Sequence, residues 1–314
     1  MTGSNHPQVR PADKRTVADA AARLARGEPV ALPTETVYGL AARADSPEAV
    51  AAIYRAKGRP NFNPLIVHVP DLAAAERLAS FDERARRLAE AFWPGPLTLV
   101  LPLREGAPVA PAVTAGLPTL ALRCPAHPIM REVLLACGLP LAAPSANRSG
   151  AVSPTTAAHV VAGLGDRIGL VIDGGQTRAG IESTIVALRS GGWSLLRPGP
   201  VTVEAIAALI GAPLDPSGEA RIEAPGQLAS HYAPGKPVRL GATTAAADEF
   251  LIGFGPVAGE VSLSPSGDLA EAAAQLYACL HRAAAAPQPR VAVAPVPSEG
   301  IGAAINDRLR RAAA

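Results

Sequence analysis

The sequence predicts a two-domain α/β protein. At 314 residues the chain is longer than one average domain. Short apolar runs alternate with stretches of helical periodicity. Between residues 211 and 237 the pattern lapses: Pro, Gly and Ala with scattered charges replace any sustained period, as an interdomain linker does. The predicted organisation is a disordered tail over 1–12, a larger domain over 13–211, a linker over 212–237 and a smaller domain over 238–314.

Each element has its own signal. Met1–Pro11 reads as a frayed tail. Asp13 opens a helix with Val17, Ala20, Ala21 and Leu24 on one face and Gly27 as its stop. Pro29–Leu32 is a short buried strand. Ser46-Pro47-Glu48 starts a helix that closes at Lys57. Leu65–Val69 reads as a strand, and Asp82 caps a helix to about Phe92. Leu97–Leu101 and Thr119–Arg123 are strands, Pro128–Cys137 a helix, and Leu139–Ala143 a strand that runs into the polar loop Pro144–Gly150. A helix at Thr156–Leu164, a strand at Leu170–Asp173, the E-S-T-I-V run within Ile181–Leu188, a strand at Ser194–Arg197 and a Thr202-capped helix to Ile210 complete the first domain. In the second, strands at Val238–Leu240, Phe250–Phe254, Val261–Leu263 and Val291–Val296 alternate with helices at Asp268–Ala285 and Gly302–Ala313. That alternation predicts a largely parallel sheet.

Composition bounds the function. Apolar residues make up 48% of the chain and charged residues 18%, which suits a soluble chain with real cores. A net charge of +2 is far from that of a dedicated nucleic-acid binder. Cys124, Cys137 and Cys279 are odd in number and widely spaced, so neither a disulfide framework nor a zinc site is expected, and a reducing cytoplasm fits. No signal peptide and no membrane-spanning segment are read from the sequence. Walker A and G-x-G-x-x-G motifs are absent, so any ATP must bind by another route.

Chemistry concentrates between Pro33 and His68. P-T-E-T-V-Y-G-L at Pro33–Leu40 sets hydroxyls, a carboxylate and a phenol at a strand exit. K-G-R-P-N-F-N-P-L-I-V-H at Lys57–His68 sets two cations on a proline-stiffened loop with Asn61 and Asn63. Cations and amides in that setting suit a polyphosphate. The chain has only three lysines, Lys14, Lys57 and Lys236, so the choice of Lys57 points to a compact ammonium for phosphate oxygens. Read alone, Lys57 fits a solvated helix end equally well.

These two blocks, with P-G-P-L-T at Pro94–Thr98, L-R-C-P at Leu122–Pro125, P-S-A-N at Pro144–Asn147, S-T-I-V at Ser183–Val186 and R-P-G at Arg197–Gly199, occur in an order that resembles the threonylcarbamoyl-AMP synthase family, the Sua5/YrdC/YciO proteins. H-Y-A-P at His231–Pro234 and G-I-G-A-A-I-N-D-R-L at Gly300–Leu309 resemble the linker and extra domain of its two-domain branch. The resemblance implies a YrdC-like twisted mixed sheet with surrounding helices and a smaller Rossmann-like α/β C-terminal domain. It also implies a nucleotidyltransferase that makes threonylcarbamoyl-AMP and pyrophosphate from L-threonine, bicarbonate and ATP. Mg2+ would accompany the ATP. A tRNA threonylcarbamoyl transferase system would then carry the group to adenosine 37, with direct tRNA contact weak or absent.

Carried over by position, threonine should meet Thr36, His68, Arg123, Ala143 through its backbone, and Ser183. ATP should meet Lys57, Arg59, Asn63, Thr119, Ser145, Ser153, Arg197 and Tyr232. Lys57 and Arg59 are the expected phosphate-neutralising pair, with Asn147 sharing the loop of Ser145. Each residue also has a plain structural reading. Thr36 could satisfy strand-end backbone groups, His68 could be a core histidine, Arg123 a surface charge, Arg197 a partner of Glu182, and Tyr232 a packing anchor. Cys124 reads as a small buried hydrophobe, and His127 and His159 as structural. The sequence departs from the family pattern at Ala187, where Asp usually follows S-T-I-V, and at Gln227, where Met is common. Two rivals remain at this level. One is an RNA-binding module of the same fold without adenylation activity. The other is a carbamoyl-transfer domain like that of hydrogenase maturation proteins, which carry an acylphosphatase part and Cys-rich zinc motifs not seen here.

Overall fold

In the computed structural model, residues 7–60, 62–214, 223–227 and 230–314 are described. Within them the first domain comprises β1 (Gln8–Pro11), α1 (Lys14–Ala25), β2 (Val30–Pro33), β3 (Tyr38–Arg43), α2 (Pro47–Lys57), β4 (Ile66–His68), α3 (Leu72–Glu76), α4 (Glu83–Phe92), β5 (Leu97–Pro102), α5 (Pro111–Thr114), β6 (Thr119–Arg123), α6 (Pro128–Cys137), β7 (Leu141–Ala142), α7 (Ala157–Leu164), β8 (Leu170–Asp173), β9 (Thr184–Arg189), β10 (Gly192–Arg197) and α8 (Val203–Ile210). The second comprises β11 (Val238–Leu240), β12 (Glu249–Gly253), β13 (Val261–Ser262), α9 (Leu269–Ala285), β14 (Arg290–Val293) and α10 (Gly302–Ala312).

The first ten strands form one mixed sheet, ordered β1-β8-β2-β3-β7-β4-β6-β5-β9-β10. β2 and β3 form an antiparallel pair, whereas β4 lies parallel to β6 and β5 parallel to β9. Strand alternation divides the core. Leu40 and Ala42 face the side covered by α2 with Val50 and Ile53, while Ala41 faces the side covered by α1 and α6 with Leu24, Met130 and Val133. Farther along the sheet, Ile66, Val100, Ala121, Ile185 and Ala187 form a small separate cluster that is closed by Ala224 of the linker instead of by a helix. That uncovered stretch is where a site can form. Ala187 sits in this apolar cluster, 3% exposed. An unpaired carboxylate there would be costly, which suits the loss of the Asp common elsewhere.

Four strands of the second domain pair only in parallel, in the order β11-β14-β12-β13, as the alternation of strands and helices predicts. Its core is not self-contained. Val37, Val152 and Ile181 of the first domain and Tyr232 of the linker pack into the cluster built on Phe250, Leu276, Tyr277 and Ile305.

Several expectations are corrected. Residues 1–6 lie outside the described part, but Gln8–Pro11 is a strand, not a frayed end. It pairs in register with Leu170–Asp173, and Arg10 is tied to Asp19 of α1 at 2.7 Å. β3 was hidden because its first five residues are all buried, so it shows no alternation. α3 and α5 span only five and four residues, too short for a helical period. Asn61 and linker positions 215–222 and 228–229 lie outside the described residues.

Candidate active site

A cavity of about 40 Å³ lies over the uncovered sheet face. Its floor is Ile66. The β2–β3 turn supplies Thr34, Thr36 and Val37, and the ends of β4 and β6 supply His68 and Arg123. Ala143, Pro144 and Ser145 follow β7, Arg197 ends β10, and Pro225, Gly226, His231 and Tyr232 come from the linker. The register of the parallel pair explains one juxtaposition, since His68 lies directly beside Arg123. Gly39 explains another. A Cβ there would stand 3.3 Å from the Cβ of Ala143, so the bare backbone lets β3 approach the Ala143–Ser145 wall.

The threonine-side residues are held by short local bonds. The Thr34 hydroxyl donates to Val37 O at 2.6 Å and lies 2.9 Å from the Thr36 hydroxyl, so the turn presents the buried Thr36 side chain at a fixed place. Arg123 donates through Nη2 to Glu35 at 2.6 Å and through Nε to Gly95 O at 3.2 Å. Glu35 also accepts from the backbone N of Ala126 at 3.0 Å. Burial works against the Glu35 charge, yet Arg123 outweighs it and holds the carboxyl below its ordinary range. His68 Nδ1 is buried without a hydrogen-bond partner. Burial, with the Arg123 charge added, pushes the imidazole down to about 3, so it is neutral and one ring nitrogen remains open to a ligand.

On the nucleotide side the outcome is mixed. Arg59 and Arg197 reach the cavity wall, as do Ser145 and Tyr232, whereas Lys57, Asn63, Thr119, Ser153 and Ser183 do not. Lys57 is buried, and its ammonium donates to Ser145 O and Asn147 O, both at 2.6 Å. In this closed arrangement it pins the Pro144–Asn147 loop, and it is neither a solvated helix end nor a free phosphate ligand. Burial, then the charge of Arg59, pushes its pKa well down. Arg59 donates to Asn63 O at 3.3 Å and Pro64 O at 2.9 Å, which folds the second motif back on itself. Ser183 sits one layer behind the wall, 2.7 Å from the Thr98 hydroxyl and 3.2 Å from Arg197 Nη2. Thr119 begins β6, whose far end carries Arg123, and does not line the cavity.

Sequence reasoning missed the residues that act between elements. Glu35, Glu182 and Arg308 all fall inside quoted motifs, but nothing local reveals their partners. Glu182 lines the cavity and is its only lining carboxylate among the described residues. It accepts from Ser153 at 2.6 Å, Tyr277 at 2.7 Å and Arg308 at 3.0 Å. Burial opposes its ionisation, but Arg308 and then Arg197 hold it down at about 2. The expected Glu182–Arg197 pair is thus replaced by Glu182–Arg308. Tyr232 is 0% exposed and has a left-handed backbone at φ 62°. It stacks on Tyr277 at 5.5 Å, beneath the Arg308 guanidinium at 5.4 Å. It does anchor packing, yet its hydroxyl is buried without a partner and faces the cavity. Cys124 is buried, and its thiol donates to Pro70 O at 3.1 Å.

Charge decides what such a site accepts. Lys57, Arg59, Arg123, Arg197 and Arg308 are all buried, against the buried Glu182 and Asp307 and the largely buried Glu35. Buried cations in excess demand anionic ligands. Among the described residues no group of three or more His, Cys, Asp and Glu side chains could hold a metal ion, and no helix is long and apolar enough to cross a membrane.

Comparison with known proteins agrees with this geometry. Residues 22–199 match the Sua5_yciO_yrdC family, under the description "Telomere recombination", and residues 201–314 match "Threonylcarbamoyl-AMP synthase, C-terminal domain". The threonylcarbamoyl-AMP synthase of Bacillus subtilis is 46% identical over 76% of this chain and 67% of its own length, and that of Pyrococcus abyssi 45% identical over 70% and 66%. The chain therefore spans about two thirds of the length of these relatives. The crystal structure of P. abyssi Sua5 complexed with L-threonine superposes with a TM-score of 0.90 at 36% identity, over 98% of this chain and 97% of that one. With both domain matches, the ordered motifs and the shared architecture in hand, the chain belongs to the two-domain Sua5 branch of the Sua5/YrdC/YciO family, the threonylcarbamoyl-AMP synthases.

Proposed function

We propose that this protein joins L-threonine, bicarbonate and ATP into threonylcarbamoyl-AMP, as a nucleotidyltransferase. The observation that carries the reading is the excess of buried positive charge around a small cavity lined by hydroxyls, Arg123 and a neutral imidazole. Threonine's amine and bicarbonate form a carbamate with loss of water. A carbamate oxygen attacks the α-phosphorus, and pyrophosphate leaves in line. Such a step needs alignment and charge neutralisation more than a side-chain nucleophile. Arg123 would hold the threonine carboxylate by its planar fork, with Thr36 and His68 facing the substrate hydroxyl. Arg59 and Arg197 would neutralise phosphates, and Lys57 would hold the loop that carries Ser145.

Mg2+ would enter bound to the triphosphate. Among the described residues the one carboxylate on the wall, Glu182, is already engaged by three donors, so those residues offer no resident metal site there. The cavity has room for about three waters, far too little for ATP. The linker residues that line the cavity, Pro225, Gly226, His231 and Tyr232, would move aside to admit nucleotide and close with Tyr232 against it, which shields the labile carbamate and mixed anhydride from water. The product passes to a tRNA threonylcarbamoyl transferase system for adenosine 37 of tRNA. The RNA-module reading is not favoured, because Arg59, Arg123 and Arg197 converge on one small cavity. Pyrophosphate release should require both threonine and bicarbonate. Release independent of threonine, or tight RNA binding without release, would overturn the assignment.

A further inference from the structure

Glu182 has two arginines to choose between. Arg197 lies on its own domain and acts on it electrostatically, yet among the described residues Arg197 makes no ion pair. Its acceptors are neutral: Ser183 O at 3.0 Å, Ser183 Oγ at 3.2 Å and Pro225 O at 3.4 Å. Arg308 comes from α10 of the C-terminal domain, 126 residues away, and takes the carboxylate at 3.0 Å. It is 0% exposed and is fixed from two other sides, by Pro198 O at 2.8 Å and Asp307 at 2.9 Å. Tyr277 of α9 donates to the same carboxylate oxygen at 2.7 Å. The remaining oxygen accepts from Ser153 at 2.6 Å, so both carboxylate oxygens are engaged away from Arg197.

We propose that the C-terminal domain completes the nucleotide site by capturing Glu182 through Arg308 and Tyr277, which leaves the Arg197 charge unpaired for the triphosphate. Arg308 and Tyr277 are thus positioning residues. They touch no substrate but decide the charge that Arg197 presents. An arginine paired with a carboxylate has little left for phosphate, and an arginine held only by carbonyls and a hydroxyl keeps its full charge. This assignment rests on the ATP-site reading above and extends it.

The test is a cycle of Arg308→Met, Glu182→Gln and the double variant in the full-length protein, with initial rates of pyrophosphate release at varied ATP and varied threonine. In Arg308→Met, Glu182 turns to Arg197. The KM for ATP should then rise at least about tenfold, the effect of one lost charge-assisted contact, while the KM for threonine holds. In the double variant no carboxylate remains to capture Arg197, and the ATP KM should recover most of that rise. A purely structural Arg308 would make the double variant as poor as the single one, or poorer. Tyr277→Phe keeps the packing and removes one donor, so it should show a smaller shift in the same sense at near wild-type melting temperature. This keeps the test open should Arg308→Met fail to fold. An unchanged ATP KM in both Arg308→Met and Tyr277→Phe, or no recovery in the double variant, overturns the proposal. Absence of threonine-dependent release in the unsubstituted protein would instead overturn the functional reading itself.

Discussion

Arg123 is fixed before any substrate arrives. Glu35 takes Nη2 and Gly95 O takes Nε, so Nη1 is left to complete a fork on a carboxylate. A lysine cannot reproduce that geometry. Arg123→Lys should raise the threonine KM about a hundredfold while the ATP KM stays within a few fold. A retained threonine KM would remove the carboxylate role. Arg59→Ala should lower kcat by roughly a hundredfold, about 3 kcal/mol, as loss of one preorganised donor does, and near wild-type turnover would exclude the phosphate clamp. At this scale much of the site was legible, because Thr36, Arg59, His68, Arg123, Ser145, Arg197 and Tyr232 all fall in quoted motifs and all line the cavity. Lys57 and Ser153 were expected at the nucleotide, but the carbonyl and the carboxylate they bind come from residues 88 and 29 positions away. No local pattern encodes such pairings.

Among the elements, caps were the most readable feature. Asp13, Ser46, Asp82, Thr156, Thr202 and Asp268 each accept from a first-turn backbone amide of the helix that the sequence predicts there. Asp82 accepts from Ala85 N at 2.8 Å and lies away from the cavity. Asp82→Ala should therefore cost about 1 kcal/mol and lower the melting temperature by roughly 2–4 °C, with turnover unchanged. An unshifted melting temperature would mean the cap contributes nothing. What stayed hidden at this scale was what tertiary pairing alone creates. β1 exists because β8 offers it an edge, and β7 keeps only Leu141 and Ala142 of the longer strand expected.

The whole molecule buries neutral histidines at its seams, and this makes it acid-sensitive. Burial pushes His68 and His231 down to about 3. His159, stacked at 3.9 Å on His281 across the two domains, is pushed to about 4 by burial and then by that neighbour, and His281 is lowered by burial. Each has an ordinary value of 6.5. Below that pH the unfolded chain takes up protons that the folded chain refuses, so stability is full above 6.5 and falls as pH drops toward about 4. The carboxylates Glu35 and Glu182 are depressed from 4.5 and add their loss only below it. Calorimetry should find a flat melting temperature from about pH 8 to 7 and a decline between about 6.5 and 5, ahead of the carboxylates. A melting temperature unchanged down to about pH 5 would contradict the neutral seam.

The domains also meet backbone to backbone. Gly180 sits at φ +70°, and a Cβ there would lie 2.4 Å from Ala274 Cα and 2.5 Å from Ala273 O of α9. Neither atom is the end of a flexible side chain, so the clash can be relieved only by moving α9 or the strand-entry segment that leads to Glu182. α9 carries both Tyr277 and His281, which bind Glu182 and Ser153 O. Gly180→Ala should cost roughly 3 kcal/mol from overpacking and left-handed strain together. It should also raise the ATP KM more than the threonine KM, because the displaced helix takes Tyr277 with it, whereas Arg123 and His68 rest on the first domain's own strands. Equal changes in the two constants would show that the contact serves stability alone. Wild-type melting would show that the two backbones do not meet at this distance.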